Sequence, residues 1–378
     1  MKTPFRAKQS KHLCYFVLLL TCLIVGIPTG GWCWSLAGIS SDGNIVLFDY
    51  NTTTGFAPVP GGTRSAGSAP IDVSVGKAYG TSYFQIVVLR DGGDGNDIID
   101  VYIFEKGAWS LIARGDCGVP DAKAIGVTHT HLGEETPIIA ILIDNGEDPD
   151  SFAGFEVTDA GGLSLVQEPT AFGGVFAGEY SGFSAGQIEQ TGAGPAMGGD
   201  PEKLNVAMGA ILGDGRNVIA YAQFRPLHLS PVYLTPAGDP TNARGQVTGA
   251  LCLDFGIFDE FAMDPPDQIA GGPGNEASTI VAWWSIPQGF GDFGPQGFYD
   301  AGEDVIDVTA MQLDTDETDE IVYLSAGRIG ALDVNPEAEP AQGLIPGPTN
   351  NNTWNLIKID GKRAGEETVV NISDWVRR

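Results

Sequence analysis

At 378 residues, with 48 acidic side chains against 20 basic ones, the chain carries a formal charge of -28 at neutral pH. Such a charge repels polyanions and excludes nucleic acid and anionic lipid surfaces as favoured partners. Its 53 glycines and 24 prolines are spread throughout, as many tight turns between short strands require.

In chain order, Lys2, Arg6, Lys8 and Lys11 precede an apolar run from Cys14 to Ile27 and a Pro28-Thr29-Gly30-Gly31 break. That is the order of a secretory signal peptide. The run is about 14 residues, shorter than the ~20 of a spanning helix. Residues 1–33 are therefore expected to be a signal peptide or an uncleaved N-terminal membrane anchor facing outside, and residues 34–378 one domain. A secreted or cell-envelope protein follows, with membrane contact only through that segment. Cys117 and Cys252 lie in the body, either as a disulfide or as separate buried thiols.

A hairpin is expected from Ser35 to Tyr50 around a Ser-Asp-Gly-Asn turn. Short apolar strands then recur at Ile86–Leu89, Ile138–Ile141, Val218–Tyr221, Ile280–Trp283, Ile321–Leu324 and Val369–Ile372, starting roughly 40 to 80 residues apart. Several have a second strand downstream, as at Asp100–Phe104, Phe152–Val157, Pro231–Leu234 and Ile329–Val334. Several have one upstream, as at Ile125–Val127, Leu251–Leu253, Val305–Met311 and Leu356–Ile359. Three or four antiparallel strands per repeat make a blade. Segments 186–201, 263–275 and 336–352 are too polar and too rich in Gly and Pro for strands, and are expected as loops.

The expected fold is all-β: a single β-propeller of six or seven blades, closed by N- and C-terminal strands that share a blade. Sharing would remove two exposed sheet edges. Helix content should be very low.

The stretch Asp314-Thr315-Asp316-Glu317-Thr318-Asp319-Glu320-Ile321-Val322 resembles the FG-GAP and VCBS-like propeller repeat, in which an acidic Asp-x-Asp-Gly-Asp turn runs into an apolar strand. Thr318 and Asp319 stand where that pattern keeps an acid and then Gly. The turns Gly213–Val218 and Asp360–Lys362 keep its Asp-Gly step. Gly43–Asp49 also looks like the outer hairpin of quinoprotein-type propellers. Calcium at Asp314, Asp316 and Asp319 is what the resemblance implies, and alternate carboxylates in one turn suit a hard cation; turn formation alone explains the same residues.

A second acidic loop holds Asp91, Asp94 and Asp97, again a cation loop or a plain turn. His129 and His131, two apart on a strand, point to one face and offer two ligands to a transition metal. A zinc site needs a third. No Walker loop and no His-Glu-x-x-His motif is present, and no Gly-x-Ser-x-Gly elbow in strand-turn-helix context.

With those signatures missing, the expected function is a non-catalytic binding or scaffold module for an extracellular protein or glycan, with calcium bracing some turns. The alternative is an extracytoplasmic propeller enzyme, a hydrolase, lyase or quinoprotein-like catalyst, using the central channel.

Overall fold

The computed structural model describes residues 34–362, apart from 52, 68, 81–82, 94, 129–136, 172–179, 187–205, 212–217, 225–226, 234–251, 257–267, 273–278, 286–293, 314–318, 334–342 and 345–348. These residues form six antiparallel sheets and no α-helix; a single 3-10 turn spans Asn351–Thr353. The first sheet runs Leu356–Gly361, Leu36–Ser40, Asn44–Asn51, Gly55–Ser65 from its innermost strand outward, so a strand from the end of the described chain completes the N-terminal blade. The other five follow in chain order. Their innermost strands are Pro70–Gly76, Ala122–Val127, Tyr180–Gly186, Leu253–Gly256 and Val305–Met311.

These innermost strands neighbour one another in sequence order, and Leu356–Gly361 lies beside both Val305–Met311 and Pro70–Gly76. The ring is a closed β-propeller, and between the two expected blade counts the answer is six. The expectation that the termini share a blade is met, through Leu356–Gly361; Val369–Ile372 lies outside the described residues.

The apolar tetrads Ile86–Leu89, Ile138–Ile141 and Ile321–Leu324 belong to the second strands of their blades and are buried on both faces, which is why they lack polar alternation; Val218–Tyr221 and Ile280–Trp283 belong to third strands. In the second blade, Ile86 and Val88 pack toward the first blade while Val87 and Leu89 pack toward the third. In the third, Ile139 and Ile141 face the second blade, and Ala140 and Leu142 face Tyr180 and Phe183 of the fourth. In the sixth, Ile321 and Tyr323 face the fifth blade, and Val322 and Leu324 face the first. Hydrophobic cores thus lie between sheets, where burial contributes about 25 cal/mol per Å².

Two expected loops contain strands. Gln268–Gly271 is the second strand of the fifth blade, and Gly343–Leu344 and Thr349–Asn350 pair with Arg328–Asp333. Local Gly and Pro content misleads there because a strand of two to four residues needs only partners across the ladder. Cys117 and Cys252 are separate buried thiols, not a disulfide.

Gly126, on the inner strand of the third blade, faces the backbone of the fourth. A Cβ there would sit 2.6 Å from the Ala185 nitrogen and 2.8 Å from its Cβ. Gly126→Ala should therefore destabilise the protein by about 1–3 kcal/mol in urea unfolding, whereas Leu165→Ala on an exposed outer strand should cost less than about 0.5 kcal/mol. Equal effects would contradict this close approach.

A candidate active site in the central channel

Inner strands pair on one edge only, so their remaining N–H groups point toward the neighbouring blade and need acceptors. Side chains supply them. Asp72 Oδ2 accepts from Ile125 N–H at 2.9 Å and Ser74 Oγ from Val127 N–H at 3.1 Å. Asp254 Oδ2 accepts from Ala310 N–H at 2.8 Å, and Asp307 Oδ2 from Ile359 N–H at 2.8 Å. Asp360 Oδ2 accepts from Val75 N–H at 2.6 Å. In each case an acid or hydroxyl on one blade takes an amide from the inner strand that follows it around the ring. Between the fourth and fifth blades the link is Ser184 Oγ to Asp254 Oδ1 at 2.6 Å.

Period two puts Asp72 with Ser74, Asp307 with Thr309, and Lys358 with Asp360 on the channel side of their strands. Asp72, Ser74, Ser184, Asp254, Asp307, Lys358 and Asp360 line a cavity of about 30 Å³, together with Cys252. That volume holds one or two waters.

The electrostatics are one-sided. Four carboxyl groups surround Lys358, whose Nζ lies 3.5 Å from Asp307 Oδ1. Burial pushes the Asp72 carboxyl up from its ordinary 3.8 to about 6; the Asp307 charge adds to the rise, and the Lys358 ammonium opposes it. Asp307 is likewise raised by burial, against the pull of Lys358 and of the Ile359 N–H. For Lys358, burial works against the charged form, but the carboxylates of Asp307 and Asp72 outweigh it and hold the ammonium protonated. The Cys252 thiol is pushed up to about 12, by burial first and Asp307 second, so it is no nucleophile at neutral pH. A carboxyl that titrates near neutrality beside a fixed ammonium, in a space sized for water, can act as a base toward that water.

None of the residues singled out in the sequence as metal ligands lines this cavity. His129, His131, Asp94, Asp314 and Asp316 lie outside the described residues. Asp319 is buried at the foot of its strand. Asp91 accepts from Gly93 N–H at 2.6 Å, and Asp97 from Gly92 N–H at 3.2 Å and Ala122 N–H at 2.8 Å, so both serve the turn and its neighbouring blade. Among the described residues no group of three or more His, Cys, Asp or Glu is arranged to hold a metal ion. The channel residues had a sequence signal of their own: Ile71-Asp72-Val73-Ser74 and Ile306-Asp307-Val308-Thr309 are near copies.

Asp72 also sets a pH dependence. Its folded value of about 6 lies above the ordinary 3.8, so the folded state holds the proton more tightly. The stability it contributes is full below about pH 3.8 and is lost as pH rises through about 6. Relative to Asp72→Asn, the native protein should lose on the order of 2 kcal/mol in urea unfolding between those limits. Parallel pH profiles would contradict it.

No family model and no curated protein matches the chain in sequence. Solved structures do resemble it. A protein named as a 6-phosphogluconolactonase from Bacteroides uniformis is 14% identical over 82% of this chain and 80% of its own, with a TM-score of 0.45. The periplasmic gluconolactonase of Pseudomonas aeruginosa is 14% identical over 82% and 81%, with a TM-score of 0.47. A protein named as a 6-phosphogluconolactonase from Bacteroides fragilis is 12% identical over 88% and 98%, with a TM-score of 0.49. At these identities the likeness concerns the fold alone, and what stands of the FG-GAP and VCBS-like resemblance is the propeller itself.

The expectation of a non-catalytic binding or scaffold module, and with it the leaning away from an enzyme, is corrected here. It rested on missing strand-turn-helix motifs; the Gly-x-Ser-x-Gly string that the sequence does contain, Gly182 to Gly186, lies along the inner strand Tyr180–Gly186 and forms no such elbow. All three of these propellers carry lactonase names, and a propeller channel places ionisable groups on strands, where no such motif is written.

Proposed function

We propose that the chain is a hydrolase that opens cyclic esters at its central channel. The observation that carries this reading is the Asp72 carboxyl, raised to about 6, sharing a water-sized cavity with the Lys358 ammonium. The names of the similar propellers bring lactones to this chain as the substrate class. Asp72, ionised above about pH 6, takes a proton from the cavity water as that water attacks the ester carbonyl. Lys358 stabilises the oxyanion that develops on the carbonyl oxygen; it is already charged and fixed, so it needs no reorganisation. Collapse of the tetrahedral intermediate breaks the ring C–O bond and yields a hydroxy acid. Asp307 positions the ammonium and keeps it protonated.

The leader-like stretch from Lys2 to Ile27 supports placing this activity outside the cytoplasm. Among the described residues no helix is long and apolar enough to cross a membrane.

Acid release from gluconolactone and related aldonolactones, corrected for spontaneous opening, tests the proposal. The native protein should hydrolyse at least one of them, with a rate that rises as pH passes about 6. Asp72→Asn and Lys358→Met, each verified as folded by circular dichroism, should lower kcat about 10²- to 10⁴-fold. Unchanged rates in both variants, or no hydrolysis of any lactone tried, would overturn it.

A further inference from the structure

The clasps around the ring sort the channel side chains into layers. Asp254 accepts from Ala310 N–H, Thr309 from Gly361, Asp360 from Val75 and Ser74 from Val127, so each reaches the residue that follows its counterpart on the next blade. Gly126 and Ser184 complete this layer: a Cβ on Gly126 would meet the Ala185 nitrogen, and Ser184 bonds Asp254. The same offset joins Asp307 to Ile359 and Asp72 to Ile125 in the adjacent layer, two residues earlier on each strand. There Lys358 stands between Asp307 and Asp72.

The first layer carries three hydroxyl groups, and two are engaged with carboxyl groups. Thr309 Oγ1 lies 2.9 Å from Asp254 and 2.8 Å from Asp360, and Ser184 Oγ lies 2.6 Å from Asp254. Ser74 differs from both. Its counterpart on the following blade is Gly126, which has no side chain to accept. Among the described residues its hydroxyl makes one hydrogen bond, in which Oγ accepts from Val127 N–H at 3.1 Å, so its own hydrogen has no protein acceptor there. Ser74 is 2% exposed and lines the cavity with Asp72 and Lys358. A buried hydroxyl with its hydrogen unspent calls for an acceptor that enters the cavity.

We infer that Ser74 donates this hydrogen bond to the carbonyl oxygen of the bound ester, as a second donor beside Lys358. The identity of that ligand rests on the hydrolysis proposed above. Residues two apart on a strand are separated by about 6.6 Å, and an attacking water stands about 3 Å from the carbonyl carbon. Asp72 can therefore hold the water while Ser74, on the same strand, holds the carbonyl oxygen. Lys358 has three hydrogens and, among the described residues, one ion-pair contact, at 3.5 Å to Asp307, so it too can donate to that oxygen. As water attacks, negative charge grows on the oxygen and both bonds strengthen. No proton leaves Ser74; its hydrogen is shared until the carbonyl re-forms and the ring C–O bond breaks.

The test uses gluconolactam, which keeps the carbonyl of gluconolactone and resists opening, labelled isotopically at that carbonyl. Infrared difference spectra read the carbonyl stretch of the bound lactam, where hydrogen-bond donors lower it. Ser74→Ala should bind the lactam with a higher stretch than native protein, whereas Ser74→Thr, the residue found at the matching position 309, should keep the native value. Ser74→Ala also deprives Val127 N–H of its acceptor, but that structural loss alone would not move the ligand's stretch. For a lactone that is opened, kcat should fall about 10²-fold in Ser74→Ala and stay near native in Ser74→Thr. An identical stretch in native protein and Ser74→Ala, or no binding of the lactam to native protein, overturns the inference. Lactone turnover with an identical stretch leaves the hydrolase reading standing and removes this donor alone; a Ser74-dependent stretch with no lactone opened keeps the donor and removes the hydrolase reading.

Discussion

The structure depends on one recurring contact: an oxygen from an inner-strand side chain accepts the backbone N–H of the inner strand that follows it around the ring. Asp360 to Val75, Asp72 to Ile125, Asp254 to Ala310 and Asp307 to Ile359 are four instances from four blades. On the innermost strands, amides on the unpaired edge have no ladder partner. An unsatisfied buried amide costs on the order of 1–3 kcal/mol, and short acidic side chains remove that cost in the available space. Where the acid is missing, between the third and fourth blades, Gly126 lets the backbones meet directly.

This arrangement makes fold and site inseparable. The carboxyl groups that clasp the ring are taken out of water to do so, and their burial raises Asp72 and Asp307. Lys358 is tolerated at the axis because it compensates them. The electrostatic tension that ring closure creates is the same tension a water-activating base requires. Groups of a single sheet can reach similar ends without touching function. In the second blade, Arg90 and Arg114 hold buried Asp100 at 2.9 and 2.5 Å, and their hydrogen bonds outweigh its desolvation and lower its pKa. That cluster is fully compensated, which the channel is not.

Much of the fold was legible because its cause is local. Runs such as Ile86–Leu89 and Ile321–Leu324 are apolar on both faces since each side packs on a neighbouring sheet. The shared blade was legible in outline, but its closing strand is Leu356–Gly361, whose Lys358 and Asp360 disguise it as a half-exposed strand. The channel was illegible for a different reason. In a chain with 48 acids, aspartates such as Asp254 do not stand out, whereas acidic clusters such as Asp91 to Asp97 do. The informative signal was positional: Asp72-Val73-Ser74 and Asp307-Val308-Thr309 repeat an acid and a hydroxyl two residues apart on strands otherwise apolar. Hydrogen bonds around a ring link residues some 50 or, for Asp360 and Val75, 285 positions apart, a spacing that no local pattern records.

Native-state amide hydrogen exchange tests the central contact most directly. The N–H groups of Val75, Ile125, Ala310 and Ile359 have side-chain acceptors in place of ladder carbonyls. If those acceptors hold the ring, these four amides exchange only with global unfolding, at the rates of ladder amides in Ile86–Leu89. Exchange at the rate of surface turns such as Asp159–Gly161 would show the clasps to be incidental and would contradict the account.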